Sequence, residues 1–207
     1  MRFEKKYKTP YNIRSELRNI FLIKNTKESF PTRRICSIYY EMNDYRSFLD
    51  SEDGDMNRTK IRVRFYNKKY REGKIEFKIK ESELGFKKYQ NIDDSIRENG
   101  YKLISFKKDE FIKIPKRINN YFPILIVEYT RDYYETKDKS IRFTYDYDIT
   151  YRSVLRMRKF LLGENVLEVK YNKDTFYNSD DWNEIKEEFD LNLSRFSKFC
   201  KGIEICL

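Results

Sequence analysis

Histidine and alanine are both absent from this chain of 207 residues. Without histidine there can be no Ser-His-Asp or Cys-His nucleophile and no imidazole-ligated zinc or iron site. Any general base must then be Asp, Glu, Lys, Tyr or Cys. Alanine is the best helix former, so its absence disfavours a helical bundle. A composition biased towards Lys, Asn, Ile and Tyr explains part of the missing alanine.

Cysteine and long apolar runs are also scarce. The three cysteines, Cys36, Cys200 and Cys206, have no metal-ligand spacing, so we expect reduced thiols in an intracellular protein. The first residues contain no apolar segment, so no signal peptide is expected. The longest apolar run, Phe122 to Val127, is too short to span a bilayer. We therefore expect a soluble, cytoplasmic protein.

Charge and aromatic residues are abundant. Lys and Arg number 44 against 34 Asp and Glu, which gives a net charge of +10. The chain also has 18 Tyr and 16 Phe, which with Ile, Leu and Val can bury enough surface to fold. Tyr, Phe and Ile favour strands, and the excess of cations favours a polyanionic partner.

Hydrophobic periodicity predicts a largely antiparallel α+β protein with one domain over residues 1–207. The predicted strands are 2–8, 35–41, 58–67, 74–81, 124–132, 141–148 and 165–171. The predicted helices are 11–23, 91–99, 152–160 and 181–190. Glu72-Gly73 has the composition of a hairpin turn between two of these strands. A count of about seven or eight strands suits a closed antiparallel barrel with a polar interior.

Five of the predicted strands alternate charged with apolar residues. Arg62 and Arg64, for example, alternate with Ile61, Val63 and Phe65. For any one strand, the simplest interpretation is a half-buried sheet whose charged face meets water. Over five strands, however, the charged faces contain eight basic and four acidic residues and few neutral polar ones. They are Arg2, Glu4, Lys6, Arg62, Arg64, Glu76, Lys78, Lys80, Arg142, Asp146, Glu168 and Lys170.

A barrel with this face inward would be unstable without an anion. Two like charges at 4 Å repel by about 4 kcal/mol at an effective dielectric constant near 20. Arginine and lysine are suited to phosphate oxygens, and carboxylates can hold Mg²⁺ or Mn²⁺. Phosphoryl transfer depends mainly on positioning and charge neutralisation, so the pattern favours phosphate chemistry.

Short motifs along the chain resemble, in order, those of one family. They are Glu4-x-Lys6-Tyr7, Lys60-Ile61-Arg62-Val63-Arg64-Phe65-Tyr66, Glu76-Phe77-Lys78, Tyr129-Thr130-Arg131, Arg142-Phe143-Thr144-Tyr145-Asp146, Val166-Leu167-Glu168-Val169-Lys170-Tyr171 and Arg195-Phe196-Ser197-Lys198-Phe199. Together they resemble the VTC domain, the polyphosphate-polymerase branch of the triphosphate tunnel metalloenzymes. That resemblance implies an eight-stranded antiparallel tunnel flanked by helices. It also implies transfer of the γ-phosphoryl group of ATP to a growing polyphosphate chain, with Mn²⁺ or Mg²⁺.

The resemblance and the charged strand faces together assign roles to individual residues. The residues expected to act in the transfer are Arg62, Arg64, Lys78, Arg131, Arg142 and Lys198. Those expected to bind substrate are Lys6, Lys80, Tyr129, Lys170, Arg195, Ser197 and Lys201. Glu168 is expected to hold the metal, with Glu4 and Asp146 as further carboxylates. Alternation alone does not decide which face of 124–132 is inward, because Glu128 and Arg131 lie on opposite faces.

One departure from the wider superfamily separates the possible activities. The related hydrolases and cyclases begin with E-x-E-x-K, and Arg2 stands where the first Glu would be, which disfavours the hydrolytic branch. The leading hypothesis is thus an ATP-dependent polyphosphate polymerase. The alternatives are a triphosphatase of the same fold, a polyphosphate sensor, and a basic, tyrosine-rich sheet that binds nucleic acid. For the leading hypothesis the partners are ATP and polyphosphate or triphosphate. No specific nucleic acid is expected, and the residues do not define a membrane-protein partner or an oligomeric state.

Overall fold

The computed structural model describes residues 2–9, 11–24, 26–70, 72–82, 84–107, 110–155, 159–172, 185–189 and 191–206. The strands are β1 Arg2–Thr9, β2 Thr26–Glu41, β3 Arg58–Tyr66, β4 Lys74–Glu81, β5 Leu84–Asn91, β6 Tyr101–Lys107, β7 Glu110–Pro115, β8 Phe122–Thr136, β9 Ile141–Ser153, β10 Lys159–Leu161, β11 Asn165–Asn172 and β12 Asn192–Leu193. The helices are α1 Arg14–Ile23, α2 Arg46–Glu52, α3 Ile92–Asn99 and α4 Lys198–Cys206, and residues 185–188 are also helical. Within these residues, no helix is both long and apolar enough to cross a membrane.

The strands form one large sheet and a separate hairpin. The hydrogen-bonded order of the large sheet is β12-β1-β11-β9-β8-β2-β3-β4-β5, with β10 paired to β9, while β6 pairs with β7. The α+β class is therefore confirmed. The closed eight-stranded barrel is wrong, because in the described part of the chain ten strands form a sheet whose order ends at β12 and β5. The strand β5, which sequence alternation did not predict, extends the order beyond β4.

Two further differences from the predicted elements concern the second half of the chain. Of the predicted helix 152–160, residues 152–155 and 159–160 are not helical, since β9 runs on to Ser153 and β10 begins at Lys159, and residues 156–158 lie outside the described residues. The reason is that the aromatic and β-branched alternation of β9 continues through Ile149 and Tyr151, both fully buried. Of the predicted helix 181–190, residues 185–188 are helical, and 181–184 and 190 lie outside the described residues.

The chain divides into two compact units. Unit 1 comprises Met1–Arg34, Tyr129–Ile149 and Leu161–Phe196, and unit 2 comprises Ile35–Glu128, Thr150–Phe160 and Ser197–Leu207. The strands β2, β8, β9 and β10 each contribute residues to both units. Each unit has its own cluster of buried apolar side chains.

In unit 1 the helix α1 packs on the sheet through a stripe at helical spacing. Leu17 and Phe21 are four residues apart and fully buried, and the Phe21 ring lies 4.7 Å from those of Tyr134 and Phe143. Polar contacts fix the start of the helix, since Arg14 Nε donates to Asp132 Oδ2 at 2.6 Å. The apolar side chains of β1, β9 and β11 belong to the same buried cluster as those of α1.

In unit 2 the apolar faces of β3 and β4 pack on Ile104 and Ile112 of the β6–β7 hairpin. Ile61, Val63, Phe65 and Ile75 on these two strands are all essentially inaccessible to solvent. The turn before β4 needs glycine at position 73, because a Cβ there would overlap the Phe65 ring. Because successive side chains of a strand point to opposite faces, the charged side chains of β3 and β4 project from the other face of the sheet.

The helix α4 of unit 2 is held close to the sheet by Gly202. A Cβ at this position would overlap the side chains of Leu125 and Tyr151. Phe199, Cys200, Ile203 and Cys206 are buried along the same side of the helix. This packing fixes the first turn of α4, where Ser197 and Lys198 are located.

Candidate phosphate-binding clusters

The first candidate site is the Arg62 cluster, a polar group within unit 2 on the charged face of β3. Its members lie on β2, β3, β4 and the start of α4. They are Ser37, Tyr39, Lys60, Arg62, Arg64, Glu76 and Ser197.

Glu76 orients both arginines of this cluster. Arg62 Nε and Nη2 donate to Glu76 Oε2 at 2.8 and 2.6 Å, and Arg64 Nη1 lies 3.8 Å from the same oxygen. Arg62 Nη1 also donates to Tyr39 OH at 3.2 Å, and Arg64 Nε donates to Ser37 Oγ at 3.2 Å. One carboxylate thus stands against two largely buried guanidinium groups, which leaves the cluster with an excess of positive charge.

The excess of positive charge shifts the pKa values of Glu76 and Tyr39. Burial alone would raise the pKa of Glu76, but Arg62 and Arg64 hold it below the ordinary value. Burial would likewise raise the pKa of Tyr39, and the same two guanidinium groups lower it. An anion placed here would meet a strongly positive potential.

Lys60 connects the Arg62 cluster to the start of α4. Its Nζ donates to Ser197 Oγ at 3.3 Å and lies 5.0 Å from the centre of the Phe199 ring. Ser197 Oγ also accepts the backbone N–H of Cys200 at 3.4 Å and so caps the helix, whose N-terminus carries a partial positive charge. Burial lowers the pKa of Lys60. Lys60 was not among the predicted site residues, although its spacing of two from Arg62 places it on the same face.

The second candidate site is the Glu168 cluster, a polar group within unit 1. Its members lie on β1, β8, β9 and β11. They are Glu4, Lys6, Tyr129, Arg131, Asp146, Glu168 and Lys170.

Opposite charges alternate across β1 and β11 in this cluster. In register, Lys6 stands opposite Glu168 and Glu4 opposite Lys170. Lys170 Nζ lies 2.5 Å from Glu168 Oε1 and 3.7 Å from Glu4 Oε2, and Lys6 Nζ lies 3.2 Å from Glu4 Oε1. Although burial would raise the pKa of Glu168, Lys170, Arg131 and Lys6 hold it well below the ordinary value. Glu168 is therefore an ionised carboxylate.

Arg131 is held by Asp146 in a two-point contact. Its Nε and Nη2 donate to the two oxygens of Asp146 at 2.5 and 2.7 Å, and its guanidinium lies 5.3 Å from the centre of the Tyr129 ring. Asp146 is fully buried, and the Arg131 side chain is 13% exposed. Tyr129 and Arg131 thus lie on the same face of β8. Both oxygens of Asp146 are engaged by Arg131.

The hydroxyl group of Thr144 is an unexpected feature beside Glu168. Thr144 stands opposite Glu168 in the pairing of β9 with β11. Its Oγ1 is buried, and among the described residues it has no hydrogen-bond partner. A buried hydroxyl without a partner is costly, and a polar ligand beside Glu168 would satisfy it. Sequence alternation could have found Thr144, because it lies two residues from Arg142 and Asp146.

The remaining predicted site residues are half-buried or exposed. Arg142 is 48% exposed and its Nε lies 3.9 Å from Glu135, whereas Lys201 contacts Glu204 at 3.2 Å. Lys78 and Arg195 are exposed, and Lys80 is half-buried on β4. Lys198 is half-buried and lowers the pKa of Tyr39.

The carboxylates of the Glu168 cluster decide whether the residues present could hold a divalent cation. No group of three or more acidic or cysteine side chains suited to a metal occurs in the described residues. Mg²⁺, however, commonly binds one or two carboxylates together with substrate phosphates and waters. Glu168 and Glu4 are two carboxylates of this kind, and both lie close to Lys170 Nζ.

Solved structures share the fold of this chain. An adenylate cyclase candidate from Vibrio parahaemolyticus has 14% identity and a TM-score of 0.54, with 98% of each chain covered. A Hippeastrum protein, first taken for an adenylyl cyclase and having a dominant triphosphatase activity, has 13% identity and a TM-score of 0.55, with 100% of this chain and 97% of that chain covered. A further adenylate cyclase candidate, from Bacillus halodurans, has 11% identity and a TM-score of 0.51, with 94% of each chain covered. The likeness to these structures shows a shared fold.

The family follows from the sequence itself. The VTC domain family matches residues 1–207, so the chain belongs to the VTC domain family. No curated protein matches the chain significantly.

Proposed function

We propose that this protein is a metal-dependent polyphosphate polymerase that transfers the γ-phosphoryl group of ATP to a growing polyphosphate chain. The observation that carries the proposal is the Arg62 cluster, in which Glu76 holds two guanidinium groups in place and leaves an excess of positive charge. Membership of the VTC domain family supports it.

The chemistry requires no side-chain nucleophile. A terminal phosphate oxygen of the chain attacks the γ-phosphorus of ATP, the bond between the γ-phosphorus and the β,γ-bridging oxygen breaks, and ADP leaves with the bond electrons. Catalysis of this step rests on positioning and on neutralising charge on the transferring oxygens. Arg62 and Arg64, oriented by Glu76, and Arg131, oriented by Asp146, bind phosphate oxygens in this proposal.

In this proposal a divalent cation would bind in the Glu168 cluster of unit 1. Glu168 and Glu4 would hold Mn²⁺ or Mg²⁺, and the Thr144 hydroxyl would contact the same bound group. When bound, such a cation neutralises negative charge on phosphate oxygens. The roles of Lys6 and Lys170 are then to hold the two carboxylates and to bind phosphate.

A triphosphatase activity is the second candidate, because the Hippeastrum protein with a dominant triphosphatase activity shares this fold. In that reaction a water molecule replaces the chain end as nucleophile. Arg2 in place of the first carboxylate of the E-x-E-x-K motif favours the polymerase.

Incubation with ATP and Mn²⁺, and separately with tripolyphosphate and Mn²⁺, tests the proposal. The polymerase predicts long-chain polyphosphate on a gel from ATP. Rapid hydrolysis of tripolyphosphate with orthophosphate as the only product from ATP would select the triphosphatase. Binding of polyphosphate without turnover of either compound would indicate a sensor.

A further inference from the structure

Unit 2 contains a cavity of about 570 Å³ at the end of the β6–β7 hairpin. Its wall comes entirely from this unit: the segment that follows β2, the two ends of the hairpin, the start of β8 and Leu155. None of the described residues in the wall belongs to the Arg62 cluster or to the Glu168 cluster. The volume lies in the range of pockets that hold small organic ligands.

Lys102 occupies a position in this wall where the hairpin is otherwise apolar. In register, Lys102 stands opposite Ile114, and Ile104 stands opposite Ile112. The three isoleucines are buried in the core of unit 2, so Lys102 continues the core-facing side of the hairpin. Lys102 is half-buried and has no ion pair within the described part of the chain. A cation on an apolar face costs free energy unless an anion accompanies it, so this lysine indicates an anion from outside the chain.

Lys116 provides a second ammonium group at the same end of the hairpin. Its backbone N–H donates to the carbonyl oxygen of Gly100 at 3.1 Å, which ties the residue after β7 to the residue before β6. The side chain of Lys116 is exposed, and among the described residues it has no ion-pair partner either. Two lysines therefore line the cavity without a carboxylate of the described chain to neutralise them.

Glu41 also contributes to the wall, but its carboxylate is engaged by the backbone. Its Oε1 accepts the N–H groups of Met42 and Ser47 at 2.8 and 3.1 Å, and its Oε2 accepts that of Phe48 at 2.9 Å. These bonds fix the turn in which Tyr45 has a φ of 57°, a left-handed conformation that bulky residues rarely adopt. Glu41 thus holds Tyr45 in the wall of the cavity.

The rest of the wall is largely apolar and accessible. Tyr101, Phe122 and Leu155 are 50%, 38% and 67% exposed, and Pro123 and Ile124 are buried beside them. Large apolar side chains that remain in contact with water at one place mark a binding surface. The two aromatic rings would pack well against a flat ring of a ligand.

We infer that this cavity binds an organic anion that has a flat, apolar body and a carboxylate or phosphate group. The acidic group contacts Lys102 and Lys116, and the apolar body lies against Tyr101, Phe122 and Leu155. Inorganic polyphosphate has no apolar body, and a neutral apolar compound would leave both ammonium groups without an anion. The inference therefore adds a small-molecule site to the proposed polymerase and does not depend on that function.

Fluorescence of anilinonaphthalene sulfonate, a flat aromatic anion, provides the test. It is titrated into wild type, Lys102→Gln, Lys116→Gln, the double variant and the control Lys88→Gln, with and without tripolyphosphate. Lys88 is an exposed lysine on β5 and does not line the cavity. Bound probe is then displaced by naphthoate, naphthyl phosphate or neutral naphthalenemethanol, which differ in the substituent on the same ring system. Circular dichroism and the unfolding midpoint establish that each variant is folded, and the single variants keep the test valid if the double variant does not fold.

We expect saturable binding of the probe, with affinity reduced about ten-fold in the double variant and by smaller amounts in the single variants. Lys88→Gln and tripolyphosphate should leave the affinity unchanged. Naphthoate or naphthyl phosphate should displace the probe at lower concentration than naphthalenemethanol does. The more effective of the two anions then identifies the acidic group of the ligand.

Four results would overturn the inference. The folded wild type could fail to bind the probe saturably, or the lysine variants could bind it as the wild type does. An equal loss in Lys88→Gln would mean that only net charge matters, and equally effective displacement by naphthalenemethanol would mean that the acidic group is not recognised. Displacement by tripolyphosphate would also overturn it, because the probe would then occupy a phosphate-binding cluster. The polymerase is tested separately, through its products from ATP.

Discussion

Arg62 and Glu76 stand directly opposite each other on β3 and β4, and two nitrogens of the Arg62 guanidinium donate to one oxygen of Glu76 at 2.8 and 2.6 Å. Arg64 approaches the same oxygen at 3.8 Å. This single carboxylate therefore orients two cations and neutralises only one charge. The surplus charge is what a phosphate group would neutralise.

Glu76→Gln should make the stability of the protein depend more strongly on a bound anion. Without the carboxylate, two largely buried guanidinium groups lose their partner, and the free energy of unfolding should fall by about 3 kcal/mol. Tripolyphosphate should then restore more stability in the variant than it adds to the wild type. Urea unfolding with and without tripolyphosphate measures both effects. Glu81→Gln, at the exposed end of β4, is the control, and equal stabilisation of all three proteins would contradict the prediction.

Glu168→Gln should change how the free energy of unfolding depends on pH in the acid range. The pKa of Glu168 is well below its ordinary value of 4.5, so as the pH falls the unfolded chain takes up this proton before the folded chain does. The stability that Glu168 contributes is therefore complete above about pH 4.5 and is lost below it. Urea unfolding at several pH values should show a gap between wild type and variant that closes towards acid.

Two further results are expected, one for the activity of Glu168→Gln and one for a control variant. Polymer synthesis should fall by at least about 100-fold, because the proposed metal loses a ligand. Glu164→Gln removes a carboxylate from a more exposed pair with Lys8 and should keep activity, with a stability loss under about 1 kcal/mol. A gap that stays constant with pH would contradict the assignment of an ionised, paired Glu168.

Thr144→Val should separate binding from stability in the Glu168 cluster. The substitution keeps the shape of the side chain and removes a buried hydroxyl that has no partner in the described residues, so stability should be unchanged or higher by about 1 kcal/mol. Calorimetric titration with tripolyphosphate and Mn²⁺ should nevertheless show weaker binding. Thr59→Val, on the apolar face of β3, is the control. Unchanged affinity in Thr144→Val would show that the Thr144 hydroxyl does not contact the bound ligand.

Arg131→Ala and Arg142→Ala should differ in their effects on folding. Loss of Arg131 leaves Asp146 as a buried carboxylate without its two-point partner, which should cost about 3–5 kcal/mol. Arg142 is about half exposed, and its loss should cost less than about 0.5 kcal/mol. If Arg142 binds phosphate as the family resemblance implies, Arg142→Ala should reduce polymer synthesis without this loss of stability. Equal destabilisation by the two variants would contradict the structure.

Alternation predicted several strands because one face of each is mainly apolar. Ile61, Val63 and Phe65 are buried, and the strand predicted at 58–67 is confirmed as β3. The strand β5 was missed because Leu84–Asn91 contains a glycine and two adjacent lysines, which interrupt the period of two. Local periodicity also carries no information on whether the last strand pairs with the first, so the closed barrel was wrong.

The candidate site was harder to predict because its contacts join residues far apart in the sequence. Arg131 and Asp146 meet only through the positions of β8 and β9, and on β8 the sequence offered Glu128 and Arg131 on opposite faces. Lys60 contacts Ser197 across 137 positions of the chain. The family resemblance implied a role for Arg131. The contact of Lys60 with Ser197 could be found only from the position of α4 in the fold. That the assigned residues bind substrate, and that residues 1–207 form one domain, stay predictions.

The measurement that tests the central claim most directly is the fate of the γ-phosphoryl group. The protein is incubated with γ-labelled ATP and Mn²⁺, and ADP, orthophosphate and polyphosphate are quantified together. A polymerase predicts that the label enters long-chain polyphosphate, with one phosphoryl group incorporated for each ADP released. Label found only in orthophosphate, with ADP released and no polymer, would contradict the proposed function.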